Sequence, residues 1–274
     1  MKKKPSPASR IFTVFIFLFL YAPIIVLIAF SFNSSKSRTV WTGFTFDWYK
    51  ELFQDTTIMN SLYTTLSISI VAAIVATIAG TFAAIGFYTM RKRWRSPLLA
   101  VNNIPVVNAD IVTGVSLCLL FVSIGTVFKY SLGYGTLLIA HITFNIPYVI
   151  LSVMPKLHQL DKSLLEAAQD LGCTWMQAFF KIVVPQIMPG IVNGVIIAFT
   201  MSIDDFVISY FTAGSQVQTL SMTIYAMTRK RISPKVNAIS TILFLSVLVL
   251  LLIINIREMR QEENMKKRLR EQRN

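Results

Sequence analysis

The chain has 274 residues, of which 54% are apolar and only 14% are charged, and its formal net charge is +13. Soluble domains usually carry about 25% charged residues, so this composition argues against both a disordered chain and an ordinary water-soluble α/β fold. It indicates a membrane protein, whose length suits about six spanning helices with short loops. Cys118 and Cys173 are too isolated to form a disulfide framework or a metal-ligand cluster.

Six stretches of the sequence meet the requirement for a membrane-spanning helix, which is about 20 mostly apolar residues. They are residues 11–32, 58–90, 97–128, 130–155, 187–203 and 236–256. We expect the third of them to be interrupted by Pro105 and Asp110. The first is too long for the apolar region of a signal peptide and has no small-residue cleavage site, so we interpret it as a retained anchor. Residues 206–228 are also uncharged, but their many Ser, Thr and Gln side chains favour a loop, which can be partly re-entrant.

The distribution of Lys and Arg predicts the orientation. Six spans place both termini on one side, and the segments on that side hold 18 of the basic residues against 8 on the other. Because cytoplasmic loops are enriched in Lys and Arg, we expect cytoplasmic termini. The basic cluster at residues 229–235 goes against this trend. The excess positive charge flanks apolar spans, so we assign it to membrane topology rather than to nucleic-acid binding.

Small residues recur every fourth position along the second predicted span, at Ala72, Ala76, Gly80 and Ala84. Such a stripe lets a neighbouring helix backbone approach closely. The fifth predicted span carries a shorter version of the pattern in Gly190 and Gly194. We therefore expect tight helix–helix packing at both places, with a partner that the sequence does not identify.

The polar segment between the fourth and fifth spans predicts two short helices joined by a turn. Asp161 is placed to cap a helix that runs through Leu171, and Gly172 is placed to end it in a left-handed conformation. Thr174 and Gln177 have the spacing of a capping box for the second helix. The apolar face of this helix–turn–helix needs cover, either from the chain's own helix ends or from a soluble partner.

A spaced motif within this segment resembles the EAA loop of ABC-importer permeases. It comprises Glu166, Ala167, Ala168, Gly172 and Pro185, with three and then nine residues before the final I-V-V-P. The one departure is Val184, where the family usually has Leu. The resemblance implies that Glu166 to Gly172 couple the protein to a groove on a cytoplasmic ATPase. The chain itself has no G-x-x-x-x-G-K-[ST] phosphate loop, so we expect it not to hydrolyse ATP.

The same resemblance implies an all-α, six-helix type I ABC importer permease fold, of the MetI-like kind. It implies a cytoplasmic ATPase dimer that binds ATP and Mg, a second permease subunit and an external binding protein, and no cofactor in this chain. We accordingly expect a cytoplasmic N-terminus at residues 1–10, a transmembrane permease domain at 11–256 with its coupling loop at 156–186, and a basic cytoplasmic tail at 257–274.

Three carboxylates lie within or at the edge of predicted spans, namely Asp110, Asp204 and Asp205. Intramembrane carboxylates are costly, and no Lys or Arg within the spans is available to neutralise them, so a cationic substrate along this path is attractive. The alternative is that these residues cap or interrupt helices. His141 and Asn145, four residues apart, can line the same cavity, although hydrogen bonding between helices is the interpretation we favour.

Further stretches resemble the C-type permease subunits of spermidine/putrescine importers, which are multi-pass proteins of the bacterial inner membrane. They are residues 110–112, 141–144, 202–207 and 233–238. The resemblance implies polyamine import, although related permeases for iron or aminophosphonates share the fold. A proton-driven secondary transporter with an aspartate relay is the main alternative, and it leaves the EAA motif unexplained. An intramembrane enzyme lacks a visible nucleophile–base pair or metal triad.

Overall fold

The computed structural model describes residues 6–35, 40–230 and 234–271, which are almost wholly helical. The helices are α1 (Pro7–Ser31), α2 (Asp47–Gln54), α3 (Thr56–Thr89), α4 (Lys92–Val107), α5 (Asp110–Phe128), α6 (Tyr134–His158), α7 (Lys162–Asp170), α8 (Trp175–Ala178), α9 (Val184–Asp204), α10 (Val207–Thr212), α11 (Leu220–Lys230) and α12 (Pro234–Glu271). A π-helical turn, Phe179–Val183, joins α8 to α9. The β-structure within the described residues is one isolated bridge between Asn33 and Phe44. The predicted all-α class is confirmed.

Five helical segments among the described residues are long and apolar enough to cross a membrane. They are Ser9–Ser31, Thr56–Thr89, Asp110–Phe128, Tyr134–His158 and Trp175–Asp204. The sixth predicted span lies in α12, where the described apolar stretch is the shorter Pro234–Val249. The count of six spans therefore stays a prediction. Within the predicted terminal segments and the basic cluster, residues 1–5, 231–233 and 272–274 lie outside the described residues.

The interruption predicted within the third span, residues 97–128, is confirmed, but the break lies at Asn108 and Ala109 and not at Pro105. Helix α4 ends at Val107 and α5 begins at Asp110, with extended backbone at Asn108 and Ala109 between them. Pro105 lies inside α4 and does not mark the break. The chain breaks at Asn108 instead, since Asn favours caps and turns over helix interiors. Asp110 therefore opens a helix and does not lie in the middle of a continuous one.

The loop predicted at residues 206–228 was wrong, because the structure has helices α10 and α11 there. Two of the hydroxyl groups that suggested a loop bond to backbone carbonyls four residues back. Thr212 Oγ1 donates to the carbonyl of Ile208 at 2.8 Å, and Thr223 Oγ1 donates to that of Thr219 at 3.1 Å. Such back-bonding lets a polar segment stay helical. Gly214, at φ +70°, lies in the turn between the two helices.

The fifth predicted span is part of a longer helical run that starts at Trp175. Pro185 has no N–H, and its ring would crowd the carbonyl of Lys181 in a regular α-helix. The π-helical turn widens the backbone just before the proline, and the Val184 N–H donates to the carbonyl of Phe179, five residues back. The run therefore passes Pro185 without ending there.

The described chain divides into two compact units. One comprises the described parts of Met1–Met59 and Ile224–Asn274, and the other is Asn60–Thr223. In the second unit, α6 packs closely against α9, and α3 also contacts α6. A Cβ placed on Gly80 would lie 2.8 Å from the Val149 side chain, and one on Gly190 would lie 2.9 Å from the carbonyl oxygen of Ser152. The tight packing predicted from the small-residue stripes is confirmed, and the partner of both helices is α6.

In the first unit, α12 packs against α1 and α2. Asn33, which is 1% exposed, organises the loop after α1: its side chain donates to the carbonyl of Val40, and its own carbonyl accepts from Trp48 Nε1 at 2.7 Å. Lys235 Nζ lies 3.0 Å from the Glu51 carboxylate, so part of the predicted basic cluster is neutralised. Helix α2 was not predicted. The most apolar window of α1 has no buried residue.

Candidate functional site

The first candidate region is the EAA segment, which we define as residues 161–185. It begins with Asp161, whose Oδ1 accepts the backbone N–H of Ser163 at 3.0 Å and so caps α7. Hydrogen bonds from the side chain and backbone of Ser163 lower the pKa of the exposed Asp161 carboxyl. Helix α7 then carries the E-A-A triplet, with Ala168 buried. The backbone of Glu166 lies within this helix, and its side chain lies outside the described residues.

The end of α7 forms the hydrogen-bond pattern of a Schellman motif. The N–H of Cys173 donates to the carbonyl of Ala168 at 3.0 Å, and the N–H of Gly172 donates to that of Gln169 at 2.9 Å. Gly172 has φ +84°, and a Cβ there would meet no atom within 4 Å. The glycine is therefore required for its left-handed backbone and not for close packing.

The second helix of the segment begins with the predicted capping box. The N–H of Gln177 donates to Thr174 Oγ1 at 3.4 Å, and the N–H of Thr174 donates to Gln177 Oε1 at 3.1 Å. A cavity of about 300 Å³, lined mostly by apolar side chains that include Leu157 and Phe179, adjoins α8. The caps predicted from the sequence are confirmed.

The apolar face of the EAA segment is covered only in part. Ala178 and Val183 are buried within the chain, whereas large apolar side chains nearby stay exposed. The exposed set is Leu171, Trp175, Met176 and Phe180. The chain's own helices therefore cover one side of the segment and leave an apolar surface on the other.

The second candidate region is the α9–α10 break, which we define as residues 202–209. Asp205 follows the last residue of α9, and its side chain is only 9% exposed. Its Oδ2 accepts both the backbone N–H and the hydroxyl of Ser209 at 2.7 Å, and its Oδ1 accepts the N–H of Ile208 at 3.3 Å. Asp205 thus satisfies two N–H groups at the start of α10, as the capping alternative predicted.

Helix α6 contacts this break through the two polar residues singled out from the sequence. His141 Nε2 lies 3.0 Å from Ser209 Oγ and 3.7 Å from Asp205 Oδ2, and Asn145 Nδ2 donates to Ser202 Oγ at 2.8 Å. Both side chains are fully buried. The favoured interpretation of interhelical hydrogen bonds is confirmed. The serines were missed, because their bonds to His141 and Asn145 depend on the packing of helices that are distant in the chain.

The other two predicted carboxylates lie at helix ends and are exposed. Asp204 is the last residue of α9, and Asp110 is the first residue of α5. Among the described residues, neither side chain makes a hydrogen bond or an ion pair, whereas Asp205 accepts three hydrogen bonds. Within the same part of the chain, no group of three or more His, Cys, Asp and Glu side chains has a geometry that could hold a metal ion.

The helical architecture, the capped EAA segment and the broken helix together define a class of membrane transport subunit. Residues 76–261 match the family described as "Binding-protein-dependent transport system inner membrane component". The chain belongs to this family of importer permeases.

Among its relatives is the putrescine transport system permease protein PotI of Escherichia coli strain K12, which is 39% identical over 77% of this chain and 76% of that protein. The spermidine/putrescine transport system permease protein PotC of Haemophilus influenzae is 36% identical over 81% of this chain and 84% of its own length. These homologues are permease subunits and not enzymes.

Solved structures confirm the MetI-like importer fold. A bacterial ABC transporter for the import of alginate contains a chain that matches with a TM-score of 0.68 over 93% of this chain and 99% of that one, at 15% identity. The MetNI methionine ABC transporter matches with a TM-score of 0.59 over 72% of this chain and 92% of its own, at 20% identity.

Proposed function

We propose that this chain is the permease subunit of an ATP-driven importer of polyamines such as spermidine and putrescine, which works by alternating access. The observation that carries the proposal is its 36–39% identity, over about three-quarters of its length, to permeases named for these substrates. The unpaired carboxylates Asp110 and Asp204 support a cationic substrate, since an organic ammonium group would neutralise them. Together with Asp205 they form the proposed substrate pathway.

The proposed partners are those that the resemblance to ABC-importer permeases implies. A cytoplasmic ATPase dimer binds ATP and Mg and docks on the EAA segment, whose coupling residues are Glu166, Ala167, Ala168, Gly172 and Pro185. The exposed apolar side chains of α8 are suited to such a contact. A second homologous permease completes the membrane channel, and a periplasmic binding protein delivers the polyamine. The chain lies in the bacterial inner membrane with both termini cytoplasmic, as the 18-to-8 distribution of Lys and Arg supports.

The test is a mild detergent purification of the tagged chain, followed by identification of the subunits that purify with it. The complex is then placed in lipid nanodiscs, and its ATP hydrolysis is measured with a periplasmic binding protein loaded with spermidine or putrescine. We expect the loaded protein to stimulate hydrolysis several-fold over the empty one. A binding protein loaded with iron or an aminophosphonate serves as the control for related importers of this fold.

Two results would contradict the proposal. If the iron or aminophosphonate control stimulates hydrolysis and the polyamine-loaded protein does not, the chain still belongs to an ABC importer, but its proposed substrate is wrong. A chain that purifies alone and moves putrescine into liposomes with only a proton gradient would establish a secondary transporter instead.

A further inference from the structure

We propose that the adjacent aspartates at the α9–α10 break have separate roles: Asp205 is a positioning residue anchored to α6 and α10, and Asp204 is the residue that meets the cationic substrate. This inference rests on the proposed function and narrows it. The sequence does not distinguish the two carboxylates, since both are candidates for the substrate pathway. The structure separates them by burial and by hydrogen bonding.

The hydrogen bonds of Asp205 leave it little capacity for a substrate. A carboxylate offers about four acceptor positions, and three of them are used by Ser209 N–H, Ser209 O–H and Ile208 N–H. The fourth position is on Oδ1, since Oδ2 already accepts two bonds, and Oδ2 also lies 3.7 Å from His141 Nε2. An ammonium group could make more than one hydrogen bond to Asp205 only by displacing bonds that hold the start of α10.

The hydrogen-bond directions at Ser209 also fix the role of His141. Because the Ser209 hydroxyl donates its one hydrogen to Asp205, its oxygen must accept from His141. His141 therefore carries its hydrogen on Nε2. This leaves Nδ1 as an acceptor, and Nδ1 is the buried ring nitrogen without a partner among the described residues. The hydrogen bonds thus run in one direction, from His141 to Ser209 and from Ser209 to Asp205, and they hold α10 to α6.

Helix α6 holds the break from both sides. His141 reaches Ser209, which follows the break, and Asn145 reaches Ser202, which precedes it. The two α6 residues are one helical turn apart and so share a face. The last turn of α9 and the first turn of α10 are therefore fixed against the same neighbour, and Asp204 lies between the two anchor points.

The position of Asp204 is unfavourable for the helix that carries it. The C-terminal end of an α-helix bears a partial negative charge, so a carboxylate at the last residue of the 21-residue α9 is repelled. Its side chain is exposed and, within the described part of the chain, unpaired. An organic ammonium group at this place would be attracted by both the carboxylate and the helix end. Stability alone gives no reason for an aspartate here.

The experiment compares Asp204→Asn with Asp205→Ala and Asp205→Asn in the reconstituted complex with its binding protein. KM and Vmax for putrescine transport and the thermal unfolding midpoint are measured for each. We expect Asp204→Asn to raise KM about tenfold with little change in the midpoint, since it removes a charge that only the substrate uses. Asp47→Asn is the control for loss of an exposed carboxylate away from the break. Asp47 contacts only near neighbours on its own segment, Thr45 and Lys50 among them, so its substitution should leave KM unchanged.

For Asp205 we expect the opposite division. Asp205→Ala should lower the unfolding midpoint by several degrees and reduce Vmax more than it changes KM, because α10 loses its anchor. Asp205→Asn should recover part of both losses, since an amide oxygen can still accept from Ser209. If Asp205 affected stability alone, Asp205→Ala would not lower the turnover of the complexes that remain folded, and Asp205→Asn would have no loss of turnover to recover.

The proposal is overturned if Asp205→Asn raises KM as much as Asp204→Asn while leaving the midpoint unchanged, because Asp205 would then meet the substrate through its charge. It is also overturned if Asp204→Asn lowers the midpoint and leaves KM unchanged. If a polyamine-loaded binding protein does not stimulate ATP hydrolysis by the wild-type complex, the proposed function is wrong, and so is the proposed role of Asp204. The unfolding midpoints of the Asp205 variants would still confirm or contradict the anchoring of the break.

Discussion

The EAA segment and the α9–α10 break each contain an interruption between helices that an aspartate caps, but this aspartate is exposed in the first and buried in the second. In each, a helix stops and an aspartate accepts hydrogen bonds from the first turn of the next helix. Asp161 is exposed, and its bonds within the described part of the chain are to Ser163, two residues away. Asp205 is buried and is linked through Ser209 to His141 on a different helix. The first interruption is therefore capped by a hydrogen bond within its own segment, whereas the second is also hydrogen-bonded to a neighbouring helix, α6.

This difference suits different mechanical tasks. The EAA segment is stiffened from within by a cap, a Schellman turn and a capping box, all made by residues of the segment itself. Such a unit can be displaced as a rigid body without breaking its own bonds. The α9–α10 break loses hydrogen bonds to α6 if either of its helices moves away. These differences support the proposal that the first region moves and the second has a fixed, positioning role.

The largest effect is expected from Glu166→Lys in the EAA segment. Uptake of putrescine into cells should fall more than tenfold, because the coupling contact with the ATPase is lost while the chain still folds and inserts. Uptake is compared with the amount of chain in the membrane fraction. Lys162→Glu, which reverses a charge of the same size one turn earlier on α7, is the control and should retain most uptake. Equal losses in the two variants would contradict a specific role of Glu166.

The next effect is expected from Ser209→Ala at the buried break. The substitution removes the hydroxyl that joins His141 to Asp205 and leaves a buried donor unpaired, which costs about 1–3 kcal/mol. Thermal unfolding of the purified chain measures the loss, and Ser215→Ala, at an exposed serine, should cost almost nothing. The double variant with Asp205→Ala should be less destabilised than the sum of the two single changes, because both remove the same link. Full additivity would show that no such network exists.

The sequence predicts the exposed region better than the buried one. The caps at Asp161, Gly172 and Thr174 depend on residues within a few positions of one another, so local pattern was enough to place them. The sequence also predicted that α3 packs tightly through its small residues. That its partner is α6 depends on contacts between distant parts of the chain, which no local pattern contains.

The buried break was only partly predictable for the same reason. Asp205 was identified as a carboxylate at the edge of a span, and His141 as a polar residue inside one, but their meeting through Ser209 depends on how α6 and α10 pack. The two errors have local causes. At residues 206–228 the hydroxyl groups of Thr212 and Thr223 bond to backbone carbonyls four residues back. At residues 97–128 the chain breaks at Asn108 and not at the predicted Pro105, which lies inside α4.

A smaller effect is expected from Gly172→Ala at the end of α7. The change forces a side chain into a left-handed conformation and should cost about 1 kcal/mol, although the space around it is empty. The matched control is Gly86→Ala in α3, where a Cβ also meets nothing within 4 Å but the backbone is helical. That variant should gain up to about 1 kcal/mol, since Gly is a poor helix former. Amide hydrogen exchange along α7 and thermal unfolding measure the two changes.

The smallest effect concerns the pH dependence of the Asp161 cap. Its bonds with Ser163 lower the pKa of the carboxyl below its ordinary value of 3.8, so the folded state favours the ionised form. The stabilisation of α7 is therefore present above pH 3.8 and is lost as the pH falls through the folded-state pKa. The amide signal of Ser163, followed by NMR in detergent micelles, should titrate with a midpoint below 3.8. Asp161→Asn should keep the cap and abolish this titration, whereas a midpoint above 3.8 in the unmodified chain would mean that the cap does not hold in solution.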